Sequence, residues 1–76
     1  MATFKLLAEH ATKESFAGIR KFCKQKGITV RLSMDKVFIN TVVVVVDCED
    51  KRGATAVRNF IWNEVNYGAF CEIERM

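Results

Sequence analysis

Alternation of apolar and polar residues predicts a strand at the start of the chain, and a change of period predicts a helix after it. Residues 2–9 (ATFKLLAE) alternate along most of their length, which is the pattern of a strand. Residues 13–26 place apolar side chains every three or four positions, which indicates one buried helical stripe. We expect Thr12 to cap the start of this helix and Gly27 to end it in the left-handed conformation.

A β-hairpin is predicted next. Residues 28–34 (ITVRLSM) alternate again, and residues 37–47 (VFINTVVVVVD) form a second extended run. The two residues between these runs predict a tight turn, although no glycine marks it. Pairing across that turn sets Leu32 opposite Ile39.

A second helix and a last strand complete the pattern. Asp50 stands where an N-cap residue would accept a hydrogen bond from the first turn, and residues 51–67 carry apolar side chains at helical spacing. Gly68 predicts the end of this helix. Residues 69–75 (AFCEIER) predict a short final strand.

The resulting order is β-α-β-β-α-β, and it predicts one α+β domain over residues 1–76. This order is the split βαβ pattern, which resembles the ferredoxin-like sandwich. We therefore expect two helices on one face of a four-stranded antiparallel sheet, with the first and third strands in the centre. The length of 76 residues allows one small core, and a hydrophobic content of 50% is typical of a folded domain.

Five consecutive valines leave apolar residues on both faces of the third strand. The predicted hairpin pairing places Val43 beside Ile28 on the helix side, so the opposite parity faces away from the helices. An apolar open face is typical of a binding surface. Two alternatives stay open, since stems of flanking charged residues can cover such a face and one bulge would exchange the two faces. The expected protein interface comprises Phe38, Val42, Val44, Val46 and Trp62.

Positive charge is concentrated on the first helix. The formal net charge is +3, but residues 11–27 hold five cations against one anion and are net +4. A band of cations along a rigid helix is suited to phosphates or to an acidic protein surface, and a solvated helix face is the simpler alternative. The expected cations for binding nucleic acid or an acidic partner are Lys13, Arg20, Lys21 and Lys24.

Catalytic, metal and cofactor signatures are absent from the sequence. His10 is the only histidine, and the cysteines at positions 23, 48 and 71 form no Cys-x-x-Cys pair. The glycines are isolated, so no phosphate-binding loop is predicted. We expect no enzymatic activity, no cofactor and no metal. Free thiols, the short apolar runs and the lack of a signal-peptide pattern predict a cytoplasmic protein, complete as written and without a membrane segment.

These features together predict a small non-enzymatic interaction protein. It would dock on a macromolecular partner and inhibit or sequester it, as small phage-encoded (viral) accessory inhibitors do. A homodimer that forms through the sheet face is a further possible assembly. The alternative is an RNA-binding protein that uses the basic helix, alone or in a ribonucleoprotein assembly. RNA-recognition motifs carry aromatics on the third strand, whereas KVFINTVVV offers only Phe38 and no glycine. A regulatory domain for a small ligand is a third candidate.

Overall fold

The computed structural model describes residues 2–65 and 71–76. Four strands form one antiparallel sheet in the order β2-β3-β1-β4, and two helices pack on one of its faces. This confirms the predicted α+β arrangement, consistent with a ferredoxin-like sandwich with β1 and β3 in the centre. The elements are β1 Ala2–Glu9, a 3-10 turn Lys13–Ser15, α1 Phe16–Lys26, β2 Thr29–Met34, β3 Thr41–Cys48, α2 Lys51–Phe60, a π-helical turn Ile61–Val65 and β4 Cys71–Arg75.

The core lies between the helices and the inner face of the sheet. Leu6 of β1 and Val44 of β3 are paired in register, and neither side chain has exposed surface. Ile19 of α1 and Val57 of α2 are buried against this face with no exposed surface. Their spacing along the helices is the three-to-four-residue period that the sequence shows.

Local hydrogen bonds explain where the helices begin and end. Gly27 adopts φ 69°, and its N–H donates to carbonyl oxygens of the last turn, as predicted for a left-handed helix end. Asp50 caps α2, because its carboxylate accepts a hydrogen bond from the backbone N–H of Arg52 at 2.9 Å. Thr12 makes no such side-chain bond; its carbonyl instead accepts from the N–H of Ser15, which opens the 3-10 turn. The predicted stop at Gly68 lies outside the described residues.

The connection between β2 and β3 differs from the predicted tight turn. A two-residue hairpin turn needs residues that tolerate positive φ at its centre, and Asp35 and Lys36 do not supply a glycine there. The chain forms a six-residue loop instead, and β3 begins only at Thr41. Asn40, an amide residue that tolerates the left-handed region, closes this loop at φ 56°.

The longer loop changes the pairing register and the face of every β3 side chain. Leu32 pairs with Val44 rather than with Ile39, a shift of five residues. Because side chains alternate with period two, an odd shift exchanges the two faces. The prediction that the even-numbered valines form an open interface is therefore wrong: they face the helices and are fully buried. The residues concerned are Val42, Val44 and Val46.

Candidate interaction sites

Three consecutive apolar residues project from the loop between β2 and β3. Val37 is 79% exposed, Phe38 is 63% exposed and Ile39 is 89% exposed. Single exposed apolar side chains are ordinary on protein surfaces, but a contiguous group marks an interaction site. Phe38 was predicted on the open face of a strand; it lies on this loop, and Val37 and Ile39 join it. We call these three residues the apolar tip.

The loop satisfies much of its own backbone hydrogen bonding, which holds the apolar tip in place. The carboxylate of Asp35 accepts hydrogen bonds from the N–H of Val37 at 2.7 Å and of Phe38 at 3.1 Å. These bonds, with that from Val37 the stronger cause, lower the pKa of Asp35 below its ordinary value. The carbonyl of Asn40 accepts from the N–H of Ala11 at 2.9 Å. A pre-ordered tip loses little conformational entropy when it binds.

Trp62 lies at the same end of the sandwich as the apolar tip. It is 47% exposed and sits in the π-helical turn that follows α2. Helix α2 begins just after the end of β3 and packs along β1, β3 and β4, so its last turn lies toward the end of the sheet where β3 begins and β1 finishes. Strands β1 and β2 are both antiparallel to β3, so they run in the same direction. The loop after β2 therefore lies at the end of the sheet where β1 finishes. The apolar tip and Trp62 together are called the apolar end.

The four cations predicted on the first helix are all exposed, but only Arg20, Lys21 and Lys24 lie on α1, because Lys13 belongs to the 3-10 turn before it. Phe22 of α1 stacks on Phe60 of α2, with ring centroids 4.4 Å apart, so this side of α1 faces α2. Arg20 and Lys24, each two positions from Phe22 in the chain, lie about 160° around the helix from it. Their side chains therefore point away from α2. The guanidinium of Arg20 lies 5.5 Å from the centroid of the Phe16 ring. The basic band comprises Lys13, Arg20, Lys21 and Lys24.

The open face of the sheet carries a small apolar patch bordered by charge. Leu7 pairs with Val43 on this face, and both are half-buried. Val45, also half-buried, lies in register between Lys5 and Arg31. Long charged side chains beside a valine can cover it with their stems. This face is therefore a poorer docking surface than the apolar end.

A hydrogen bond and an ion pair join polar groups of three neighbouring strands at one end of the open face. Asp47 accepts a hydrogen bond from the hydroxyl of Thr3 at 2.7 Å. The same carboxylate lies 3.7 Å from the guanidinium of Arg31, whose side chain is 67% exposed. A pair this exposed contributes little stability, but it orients the arginine along the sheet.

A cleft of about 630 Å³ lies at the opposite end of the sandwich, between the end of α1 and the start of α2. Its lining includes Asp50 and Arg52, which pair with each other at 2.9 Å. Gly53 is required there, because a Cβ at this position would lie 2.8 Å from the Cβ of Cys48. The cleft thus arises where α2 crosses close to β3, and Asp50 and Arg52 are the charged pair within its lining.

Residues with catalytic or metal-binding potential are not grouped in the described part of the chain. No cluster of three or more histidine, cysteine, aspartate or glutamate residues suited to a metal occurs within it. Burial raises the pKa of the Cys23 thiol to about 11, so this sulfur stays protonated at neutral pH and is a poor nucleophile. His10 lies exposed after β1 at φ 63°.

None of the helices in the described ranges has the length and apolar content required to cross a membrane. Comparison with known proteins produced no match to a family model, to a curated protein or to a solved structure. Any function must therefore be argued from the surfaces of this chain alone.

Proposed function

We propose that this chain is a non-enzymatic binding protein that docks on a protein partner through its apolar end and thereby inhibits or sequesters that partner. The observation that carries the proposal is the exposure of three consecutive apolar side chains, Val37, Phe38 and Ile39. When a partner covers such a group, apolar surface leaves water, and this stabilises the complex. The two described cysteines with free thiols, Cys23 and Cys48, support a reducing, cytoplasmic setting.

The magnitude of this gain indicates that the tip does not act alone. Full burial of one valine, isoleucine or phenylalanine side chain contributes about 1.5–3 kcal/mol. The three side chains are 63–89% exposed, so the tip offers on the order of 3.5–7 kcal/mol. Association costs about 4–15 kcal/mol in lost translational and rotational freedom. Trp62, half exposed at the same end, is the second anchor that such a docking surface requires.

Charge around the tip favours a protein pocket over a lipid surface. Asp35 and Lys36 directly precede the apolar residues and carry opposite charges, and the uncharged Asn40 directly follows them. A loop that inserts into an anionic bilayer needs an excess of nearby cations, and the flanks of this tip do not provide one. A projecting apolar loop matches a concave apolar pocket, which is the usual form of a binding site on a protein.

The test uses the protein as bait in an extract of the cells that produce it. Wild-type protein is compared with a variant in which Val37, Phe38 and Ile39 are replaced by serine, and with a matched control, Thr29→Ala with Lys51→Ala, altered at exposed sites on other elements. A partner retained by the wild type and the control but lost by the serine variant is then purified. Its activity is titrated with each protein. Equal retention by all three proteins would contradict the proposal.

RNA binding through the basic band is the second candidate function. Exposure of Lys13, Arg20, Lys21 and Lys24 on and beside one helix is the observation that favours it. Against it, the described residues of the open sheet face include no aromatic side chain on which a base could stack. Light scattering with the 260/280 nm absorbance ratio on the same peak tests both this candidate and a homodimer. Nucleic acid that co-purifies and is released by salt would favour RNA binding.

A further inference from the structure

Strand β2 is an edge of the sheet, and its outward backbone groups can be identified. The N–H of Asp35 donates to the carbonyl of Thr41 at 2.9 Å, which marks this pair as hydrogen-bonded. Hydrogen-bonded and non-hydrogen-bonded pairs alternate along an antiparallel ladder, and the register from β2 to β3 is continuous. The backbone groups of Val30, Leu32 and Met34 therefore point away from β3, toward the free edge.

This edge has few of the devices that usually prevent pairing with another strand. Edge strands are commonly blocked by proline, by a bulge or by charged side chains, lysine above all; β2 (TVRLSM) contains no proline, lysine or bulge, and Arg31 is its one charged residue. Its inward side chains form a half-buried apolar shelf beside the open edge, so a further strand would cover apolar surface as well as pair its backbone. The shelf consists of Val30, Leu32 and Met34.

Cations lie on both sides of the same edge. Helix α1 contacts β2 below it and α2 beside it, and Phe22 marks the flank that faces α2. Arg20 and Lys24 lie on the opposite flank, over the β2 side of the sheet, and both are exposed. On the open face of the sheet, Arg31 projects from β2 itself, with its side chain 67% exposed and its guanidinium 3.7 Å from the carboxylate of Asp47. An added strand would therefore meet two exposed cations on its helix side and, on its open side, one arginine whose charge Asp47 partly neutralises.

This charge selects against a second copy of the chain. Antiparallel pairing of two β2 strands about a twofold axis would bring two copies of the Arg20 and Lys24 flank together, with two copies of Arg31 on the other face. Like charges placed opposite each other are unfavourable in a sheet, whereas an acidic strand would convert the same positions into ion pairs.

We propose that the free edge of β2 binds an extended acidic peptide segment of another protein as an additional strand. The segment pairs its backbone with Val30, Leu32 and Met34, and its carboxylates contact the cations on α1 and Arg31. A nucleic acid could use the cations, but it would leave the alternating backbone donors and acceptors and the apolar shelf unused. The site is separate from the apolar end, and this proposal does not depend on the function proposed above.

The first test is binding of a seven-residue peptide, blocked at both ends, in which glutamate alternates with valine. Backbone NMR follows the exchange of individual amides. We expect slowed exchange at Val30, Leu32 and Met34, and little change at Arg31 and Ser33, whose amides already bond to β3. The same peptide with lysine in place of glutamate is the control, and it should bind at least about tenfold more weakly.

Two variants separate the backbone contribution from the charge contribution. Leu32→Pro removes an outward N–H without removing a bond to β3, so it should abolish binding while circular dichroism shows the fold intact. Arg20→Glu with Lys24→Glu should weaken binding about tenfold or more. A matched reversal of charge elsewhere, Lys51→Glu with Arg75→Glu, should change the affinity by less than about threefold.

Three outcomes would overturn the proposal. The first is no binding of the acidic peptide at low salt. The second is peptide contact with α1 but no slowed exchange along β2, which would reduce the effect to charge alone. The third is tighter binding of a 12-nucleotide single-stranded RNA than of the peptide, lost in the Arg20→Glu, Lys24→Glu variant. That result would assign the cations to nucleic acid.

Discussion

Replacing two adjacent valines of β3 tests the pairing register directly. Val44 has no exposed surface and lies in register between Leu6 and Leu32 on the inner face. Val45 is half-buried on the open face, between Lys5 and Arg31. The substitutions Val44→Ala and Val45→Ala delete the same two methyl groups, so any difference in stability reports the environment alone.

The expected difference follows from burial. Each buried methyl group contributes about 0.8 kcal/mol through transfer from water, and the cavity left in a packed core adds to this cost. We expect Val44→Ala to lower the free energy of unfolding by about 2–3 kcal/mol. For Val45→Ala, which keeps partial contact with water, we expect a loss below about 1 kcal/mol.

Urea unfolding measures both variants, with circular dichroism and the fluorescence of Trp62 as independent probes. The midpoint should fall for Val44→Ala with an unchanged slope, since the surface exposed on unfolding is nearly the same. Total stability of a chain of this size is on the order of 4–11 kcal/mol, so the change is easily measured. A larger loss for Val45→Ala than for Val44→Ala would refute the register and the assignment of faces.

Further predictions concern the close helix contact, the loop and a buried thiol. Gly53→Ala forces a Cβ to 2.8 Å from that of Cys48 and should cost about 1–3 kcal/mol in urea unfolding; a neutral effect would contradict the contact. Hydrogen bonds led by that from Val37 lower the folded pKa of Asp35, so the stabilisation of the loop is complete above the ordinary pKa of about 3.9 and is lost as pH falls through the folded value. The protection of the Val37 amide, which is the exchange rate of an unstructured peptide at the same pH divided by the observed rate, should therefore fall in acid, and in Asp35→Ala it should be low at all pH values; unchanged protection would count against the bond. Burial raises the pKa of Cys23 to about 11, so a thiol reagent at pH 8 should modify it only in urea, and rapid modification of the folded protein would disprove its burial.

Periodicity and end signals in the sequence were sufficient for the elements and their order. The alternation in residues 2–9 became β1 with the predicted bounds. Gly27 and Asp50 end and begin their helices as predicted, because a left-handed glycine and a capping carboxylate act through bonds to residues close by in the chain. The exposed cations of α1 were also predictable, since they follow from the helical period once the buried stripe is known.

The candidate sites depended on contacts that local patterns do not encode. The segment VFI has the composition of a strand because its residues are β-branched or aromatic, yet the hydrogen bonds that Val37 and Phe38 donate to the Asp35 carboxylate hold it as a loop. Asp35 and Asn40, both turn-favouring residues, were the available signal for this loop. Neither residue reveals by itself how many residues the loop contains.

The sequence alone determined that a run of five valines would form a central strand with apolar residues on both faces. Only the tertiary structure decided which parity is buried, because pairing with Leu6 on one side and Leu32 on the other sets the register. One residue more or fewer in the loop would exchange the two faces. The same long-range pairing leaves β2 at the edge of the sheet beside the cations of α1. Side-chain period is a local property, whereas register and edge position arise from residues far apart in the chain.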